Sequence, residues 1–348
     1  NSILGAFPVV AVGWLATLLF DPRIGIYAGL LASIYPGAIA MSVLILSEGP
    51  FCLFMTLELV AVYYCFWRDR ASIVSRRWAA VFLGINAAIA VLIRPSWLFY
   101  TPALFTTVCL LSKHRFRNLS LAILGALAFA LVMLPWWARN HQVTGRFVPT
   151  TLQVGASLYD GLRPGGDGAS DMSFMQEFYR QQTREDALAQ AKPVDTYEYR
   201  LNTRLREASL RWSRENPSEV LRLAGIKFIR MWNVFPNSDA VGSGVSRLTV
   251  SLGYLGMMLL TFLAVISMIR KKSWPIEGTK QASWRTVALC SSPAVYFTAL
   301  HMVFVSSIRY RQPAVLILSV LAGAGVAIGL SRFAFNRGVP RAEGGPDG

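Results

Sequence analysis

Charge is scarce in this sequence. Only 15% of its 348 residues are Asp, Glu, Lys or Arg, while 54% are hydrophobic. A soluble globular domain carries about 25% charged residues, so that class is excluded. Acidic residues are the scarcest, 19 against 34 Lys and Arg, which leaves a net charge of +15. The excess lies in short loops between apolar runs, not in one basic stripe, so no nucleic-acid partner is expected. There are four cysteines, Cys52, Cys65, Cys109 and Cys290. All fall inside apolar runs with no metal-ligand spacing, and they read as small buried hydrophobes. No Walker loop, zinc motif, G-x-S-x-G or dinucleotide fingerprint occurs, which removes ATP-driven pumps and the corresponding hydrolases. No internal repeat is visible, a point against a secondary transporter.

Long apolar runs are what the sequence has. Hydropathy over windows of about 19 residues gives nine candidate spans. They are 3–20, 24–45, 50–67, 78–93, 97–112, 119–137, 248–269, 285–305 and 312–331. The first two would be joined by a tight turn at Asp21-Pro22-Arg23. The expected fold is an all-α polytopic membrane protein, with about nine transmembrane helices and a mostly helical extracytoplasmic domain. The expected domains are a six-span bundle (1–137), the extracytoplasmic loop domain (138–246), a three-span bundle (247–331) and a disordered cytoplasmic tail (332–348).

Lys and Arg set the orientation. Arg68, Arg70, Arg76 and Arg77 fall on one side with Lys113, Arg115, Arg117, Arg270, Lys271 and Lys272. The tail adds Arg332, Arg337 and Arg341. That side is assigned to the cytoplasm, which puts Asn1, Glu48, Arg94, residues 138–246 and Arg309–Arg311 outside. Residues 138–246 contain 14 Lys/Arg and 12 Asp/Glu, a balanced segment that can be translocated whatever its charge. It opens irregularly with GLRPGGDGAS (161–170), and helical patterns follow over 171–191 and 196–215. In ENPSEVLRLAGIKFIRMWN (215–233), Asn216 is expected to cap a helix that Pro217 opens. Leu221, Ala224, Phe228 and Trp232 would share one face, suited to the membrane interface or to a small core of the loop itself.

Three outer turns carry ionisable groups. In LSEGPF (46–51), Ser47 or Glu48 can cap the next helix, or Glu48 can face a polar cavity. In LIRPSW (92–97), Arg94 either neutralises a helix C-terminus or contacts an anion. In SSIRYRQP (306–313), Arg309 and Arg311 flank Tyr310 beside the positive N-terminus of the last span. Two guanidinium groups oppose that dipole but suit a phosphate or pyrophosphate. The competing reading is snorkelling of both arginines, with Tyr310 as an interfacial anchor. Within the spans, Glu58 is expected to bond a neighbouring helix, with Asn86 a candidate partner, against the competing reading of a transport site; His301 is expected to complete a packed interface, against the competing reading of a base.

Taken together, certain strings resemble a known group. LFDPRIGIYAGLLASIYPGAIAMSVLILSEGPF (19–51) is similar to a run in bacterial membrane glycosyltransferases of the GT-C class. LIRPSWLFYTPAL, LPWWARNHQVTGRFVPTTLQVGASLYDG, REASLRWSRENPSEVLRLAGIKFIRMWN and HMVFVSSIRYRQPAVLILSVLAG follow in the same order. The group is the dolichyl-phosphate-mannose–protein mannosyltransferase and aminoarabinose transferase superfamily, family 39-like. The resemblance implies a GT-C-like fold and transfer of a sugar from a polyprenyl-phosphate donor to a protein, lipid or glycan acceptor. It places the enzyme in the bacterial inner membrane, with membrane lipids as its surroundings. Arg309, Arg311, Arg94 and Tyr310 would hold the donor phosphate, and Glu48 matches an acidic position near the cavity. No cofactor is expected, and a divalent metal is left open. The group's catalytic Asp lies in a loop after a first span, so the general base is expected upstream of Asn1, and this chain alone is expected to be inactive. The competing readings are a non-catalytic or degenerate relative, and a lipid or solute transporter.

Overall fold

The structure, a computed structural model, describes residues 2–43, 47–68, 71–189, 193–236, 244–270 and 284–336. Asn1, Arg70, Lys271, Lys272, Arg337, Arg341 and the tail from 337 onward lie outside the described residues. The described residues are helical, with no strand among them. Six helices are long and apolar enough to cross a membrane. They are α4 (Glu48–Val62) with the π-helical turn Tyr63–Trp67, α5 (Ile73–Ile93), α7 (Arg115–Thr144), α12 (Gly244–Ile269), α13 (Trp284–Val303) and α14 (Gln312–Asn336). Shorter apolar helices are α1 (Ser2–Leu19), α2 (Pro22–Ile34) and α6 (Tyr100–Leu111), and α3 (Pro36–Val43) is shorter still. The chain is an integral membrane protein.

The turn between α1 and α2 follows from three residues. Asp21 is extended, its carboxylate accepts from the N–H groups of Arg23 (2.7 Å) and Ile24 (3.1 Å), and Pro22 occupies the first helical position. The expected span 24–45 is not one helix. It breaks at Tyr35, whose ψ of 117° is the extended conformation that Pro36 imposes on the residue before it. At its far end α4 widens into the π turn, and Arg76 of α5 donates to the carbonyls of Cys65 and Arg68, both at 2.7 Å. The guanidinium thus satisfies backbone acceptors that the ending helix leaves open.

The core is built around α14, which packs against α1, α2, α12 and α13. Ile317, Leu321 and Ala324 lie fully buried in one cluster with Leu15, Ile24, Met55 and Leu59. Outward faces are equally apolar: Leu127 and Leu131 of α7, and Leu259 and Phe262 of α12, are exposed. Such faces suit a lipid solvent, in which small residues and close packing drive helix association instead of apolar burial. Gly84 shows this between α5 and α7, since a Cβ there would stand 2.0 Å from the Gly125 carbonyl oxygen.

The polar segment begins late. α7 runs without a break to Thr144, so the expected boundary at 137/138 falls inside a helix, and Gly145 at φ 67° ends it. Then come α8 (Val154–Gly161), α9 (Met175–Leu188), α10 (Tyr197–Glu215) and α11 (Pro217–Trp232). α9 and α10 are joined by the pairs Arg200–Asp186 and Arg204–Glu185. Asn216 does not cap α11 through its side chain; its amide returns to the Trp212 carbonyl (2.9 Å) and closes α10. The face that α11 buries is Leu223, Lys227 and Met231, whereas Leu221 and Phe228 are exposed. The expected apolar face is therefore split, with Leu221 and Phe228 outward and Trp232 packed on the core, and a lysine sits at the centre of the buried side.

Candidate functional site

Glu48 is the first residue of α4 and is completely buried. Its carboxylate accepts from Arg309 through Nε (2.5 Å) and Nη2 (3.1 Å). Arg94 Nη1 lies 3.0 Å from the same oxygen, Oε1. The three residues come from separate parts of the chain. Arg94 ends α5, where Pro95 forces an extended backbone, and Arg309 lies in the turn between α13 and α14. Two cations on one anion leave the cluster at +1. The Arg309 side chain is 47% exposed and that of Arg94 only 11%, so the excess charge reaches solvent mainly through Arg309. Its guanidinium is held even more firmly in the charged form than an ordinary arginine, through its hydrogen bonds to Glu48.

Aromatic rings floor this cluster. Arg94 lies over Phe51 (5.6 Å) and over Tyr310 (5.8 Å). Tyr310 stacks on His301 at 4.2 Å, nearly parallel. His301 is buried, with Nδ1 2.7 Å from the Val305 carbonyl, and its Nε2 has no hydrogen-bond partner among the described residues. Nδ1 therefore donates to that carbonyl, and Nε2 is left facing the interior.

Arg311 takes a different place from Arg309. It is fully buried, donates to the carbonyls of Met231 (3.2 Å) and Asn233, and lies 3.7 Å above the Tyr254 ring. Burial lowers its pKa from the ordinary arginine value. The expected joint grip by Arg309 and Arg311 is thus divided, because alternate residues of the turn face opposite sides. The structure brings Glu48, Arg94, Arg309 and Tyr310 together and sets Arg311 behind α11 and α12.

Sequence reasoning missed Lys227. It is fully buried, and its ammonium donates to Gly161 O and Val303 O, both at 2.7 Å. It neutralises the carboxyl end of α13 and fixes it to α8. Burial pushes its pKa down to about 8. Nothing in local spacing distinguishes this lysine from the exposed Arg222 on the same helix. Glu58 was expected to meet Asn86. Instead it accepts from Trp97 Nε1 (2.8 Å) and Thr101 Oγ1 (2.6 Å), while Asn86 turns back to Phe82 O. The Trp97–Thr101 pair, one helical turn apart beyond Pro95, was the legible signal for it. Among the described residues no group of three His, Cys, Asp or Glu could hold a metal ion.

Residues 1–148 match the family model of dolichyl-phosphate-mannose-protein mannosyltransferase. That match spans less than half of the 348 residues. The match takes in Glu48 and Arg94 and stops before Arg309. No curated protein matches the chain. Two crystal structures of ArnT from Cupriavidus metallidurans are similar to it, both at 11% identity. The apo structure gives a TM-score of 0.36 over 93% of this chain and 62% of that one. The structure bound to undecaprenyl phosphate gives 0.38 over 94% and 63%. The chain therefore spans less than two thirds of the length of either.

Proposed function

We propose that this chain forms part of a membrane glycosyltransferase that takes sugar from a polyprenyl-phosphate donor at its extracytoplasmic face. The inner membrane of a bacterium is the proposed location, with residues 138–246 outside and the C-terminus inside. The observation that carries the reading is the convergence of Arg94 and Arg309 on Glu48, with net positive charge and one guanidinium open to solvent.

The chemistry requires those groups. As the bond from the sugar C1 to the phosphate oxygen breaks, negative charge grows on the lipid phosphate, and guanidinium forks stabilise it. Arg309 would do this directly, with Arg94 behind it and Tyr310 closing one side. Glu48 holds both cations on one spot before substrate arrives, which is preorganisation. A carboxylate already paired with two guanidiniums is a weak base, so Glu48 anchors the cations and no residue of this chain is assigned to deprotonate the acceptor. Arg311 supports the turn from behind.

The test is photo-crosslinking of a polyprenyl phosphate to the protein in membranes. Arg309→Ala should cut labelling by about tenfold or more, as expected for a lost charge-assisted pair. In membranes that carry out the transfer, the same variant should abolish it while membrane insertion persists. Unchanged labelling in both Arg309→Ala and Arg94→Ala would overturn the reading.

A further inference from the structure

At the opposite end of the bundle lies a cavity of about 920 Å³, open to one side. That is at the upper end of the ~300–1,000 Å³ usual for ligand sites. α6, the start of α7, α13 and the π turn wall it. Its deep part is apolar, formed by Leu104, Val108 and Leu289 beside the rings of Tyr100 and Tyr296. Its mouth is basic: Arg68, Lys113, Arg117 and Arg285 line it with no carboxylate among the described lining residues. Trp67 and Trp284 stand at the same level, as amphipathic rings do at a headgroup boundary.

Two buried polar atoms there lack protein partners among the described residues. Asn118 is 3% exposed and its Oδ1 accepts nothing, and Arg117 Nε donates to nothing among the described residues. Buried polar atoms of this kind are ordinarily satisfied, and an absent ligand is one way to satisfy them. The position also separates this cavity from the Glu48 cluster. α13 carries Arg285 at one end and His301 at the other, and its 20 residues rise about 30 Å, the thickness of a bilayer core.

We infer that this groove is a binding site for an anionic phospholipid of the leaflet on the basic side, with acyl chain among Leu104, Val108 and Leu289 and phosphate against Lys113 and Arg117. The charge pattern selects the occupant. A zwitterionic lipid would bring an ammonium group against Lys113 and Arg117, with no carboxylate among the described lining residues to receive it. The Asn118 amide oxygen takes a hydroxyl donor of the headgroup, such as that of a phosphatidylglycerol. The inference does not depend on the transferase reading, because it concerns the other face of the membrane.

The experiment uses the purified protein, stripped of lipid and titrated with phosphatidylglycerol or phosphatidylcholine, followed by native mass spectrometry. One phosphatidylglycerol should bind in preference to phosphatidylcholine. The double variant Lys113→Glu, Arg117→Glu should weaken it by more than about thirtyfold, since removing two basic side chains near an anionic lipid surface already costs that much and reversal adds repulsion. Thr107→Trp, on an exposed position of the groove wall, should block the chain while leaving Lys113 and Arg117 in place. Helical circular dichroism of each variant without lipid checks that the fold is kept. Equal binding of both lipids, or full binding by the charge-reversed or Thr107→Trp protein, would overturn the inference. So would stoichiometric displacement of phosphatidylglycerol by polyprenyl phosphate, which would make the groove the carrier's own tail site.

Discussion

The two ends of the helical bundle are both rich in arginine, yet they treat it differently. At one end a buried carboxylate, Glu48, gathers Arg94 and Arg309. At the other, five cations line a cavity, with no carboxylate among its described lining residues. A guanidinium near hydrocarbon must find oxygen somewhere. Where the protein supplies the oxygen, the side chains are fixed before any ligand comes. Composition treats both ends alike, and only the fold separates a preorganised cation pair from an open basic mouth.

Removing the carboxylate tests that contrast most severely. Glu48→Ala leaves Arg94 almost buried with no anion, and breaking one partner of a buried pair costs about 3–5 kcal/mol. The exposure of Arg309 should bring the loss toward the lower value. Thermal unfolding in detergent should show a large fall in Tm, and Glu48→Ala, Arg94→Leu should recover part of it. Equal Tm values for Glu48→Ala and the unaltered protein would mean that the carboxylate does not organise this end. Charge reversal at exposed Lys113, by comparison, should change the unfolding free energy by no more than about 0.5 kcal/mol, as surface substitutions do.

The turn between α13 and α14 contains the same contrast within three residues. Arg309 meets Glu48, and Arg311 meets Tyr254 and two backbone carbonyls. Arg311→Leu strands those carbonyls in the interior, at about 1–3 kcal/mol. The expected signature is loss of stability with little change in polyprenyl phosphate labelling, whereas Arg309→Ala should do the reverse. If both variants lost labelling equally at equal stability, the two arginines would share one task and the division drawn between them would fail.

Much of this was legible in the residues. The Asp21-Pro22 turn, the apolar runs, the helices near 171–191 and 196–215, and the placing of Glu48, Arg94 and Arg309 at one level follow from local chemistry and hydropathy. What was not legible is direction. Alternate positions 309 and 311 look equivalent in a string, but one faces α4 and the other faces α11 and α12. The break at Tyr35-Pro36 was hidden by continuous hydrophobicity, although proline's restriction of its neighbour was written there. Lys227 was hidden for the opposite reason: a charge on an amphipathic helix is normally placed outward. Only the exposed carbonyls at the end of α13, far away in sequence, turn it inward.

Lys227 gives the smallest expected effect and the sharpest sign. Burial holds its pKa at about 8, against about 10.4 for a free lysine. Below pH 8 both folded and unfolded chains hold the proton, so its contribution is constant and carries the full burial penalty. Between about 8 and 10.4 the unfolded chain holds more protons than the folded one, so stability rises with pH. Across the accessible part of that window the gain is of order 1 kcal/mol. Other groups titrate there too, so the difference from Lys227→Met is the quantity to measure. Subtracting the variant's unfolding free energy, measured from pH 7 to 9.5, should leave a positive slope that begins near pH 8. A flat difference would mean that the ammonium keeps its ordinary affinity for the proton, and that the three backbone carbonyls around it compensate its burial as fully as Glu48 compensates Arg309.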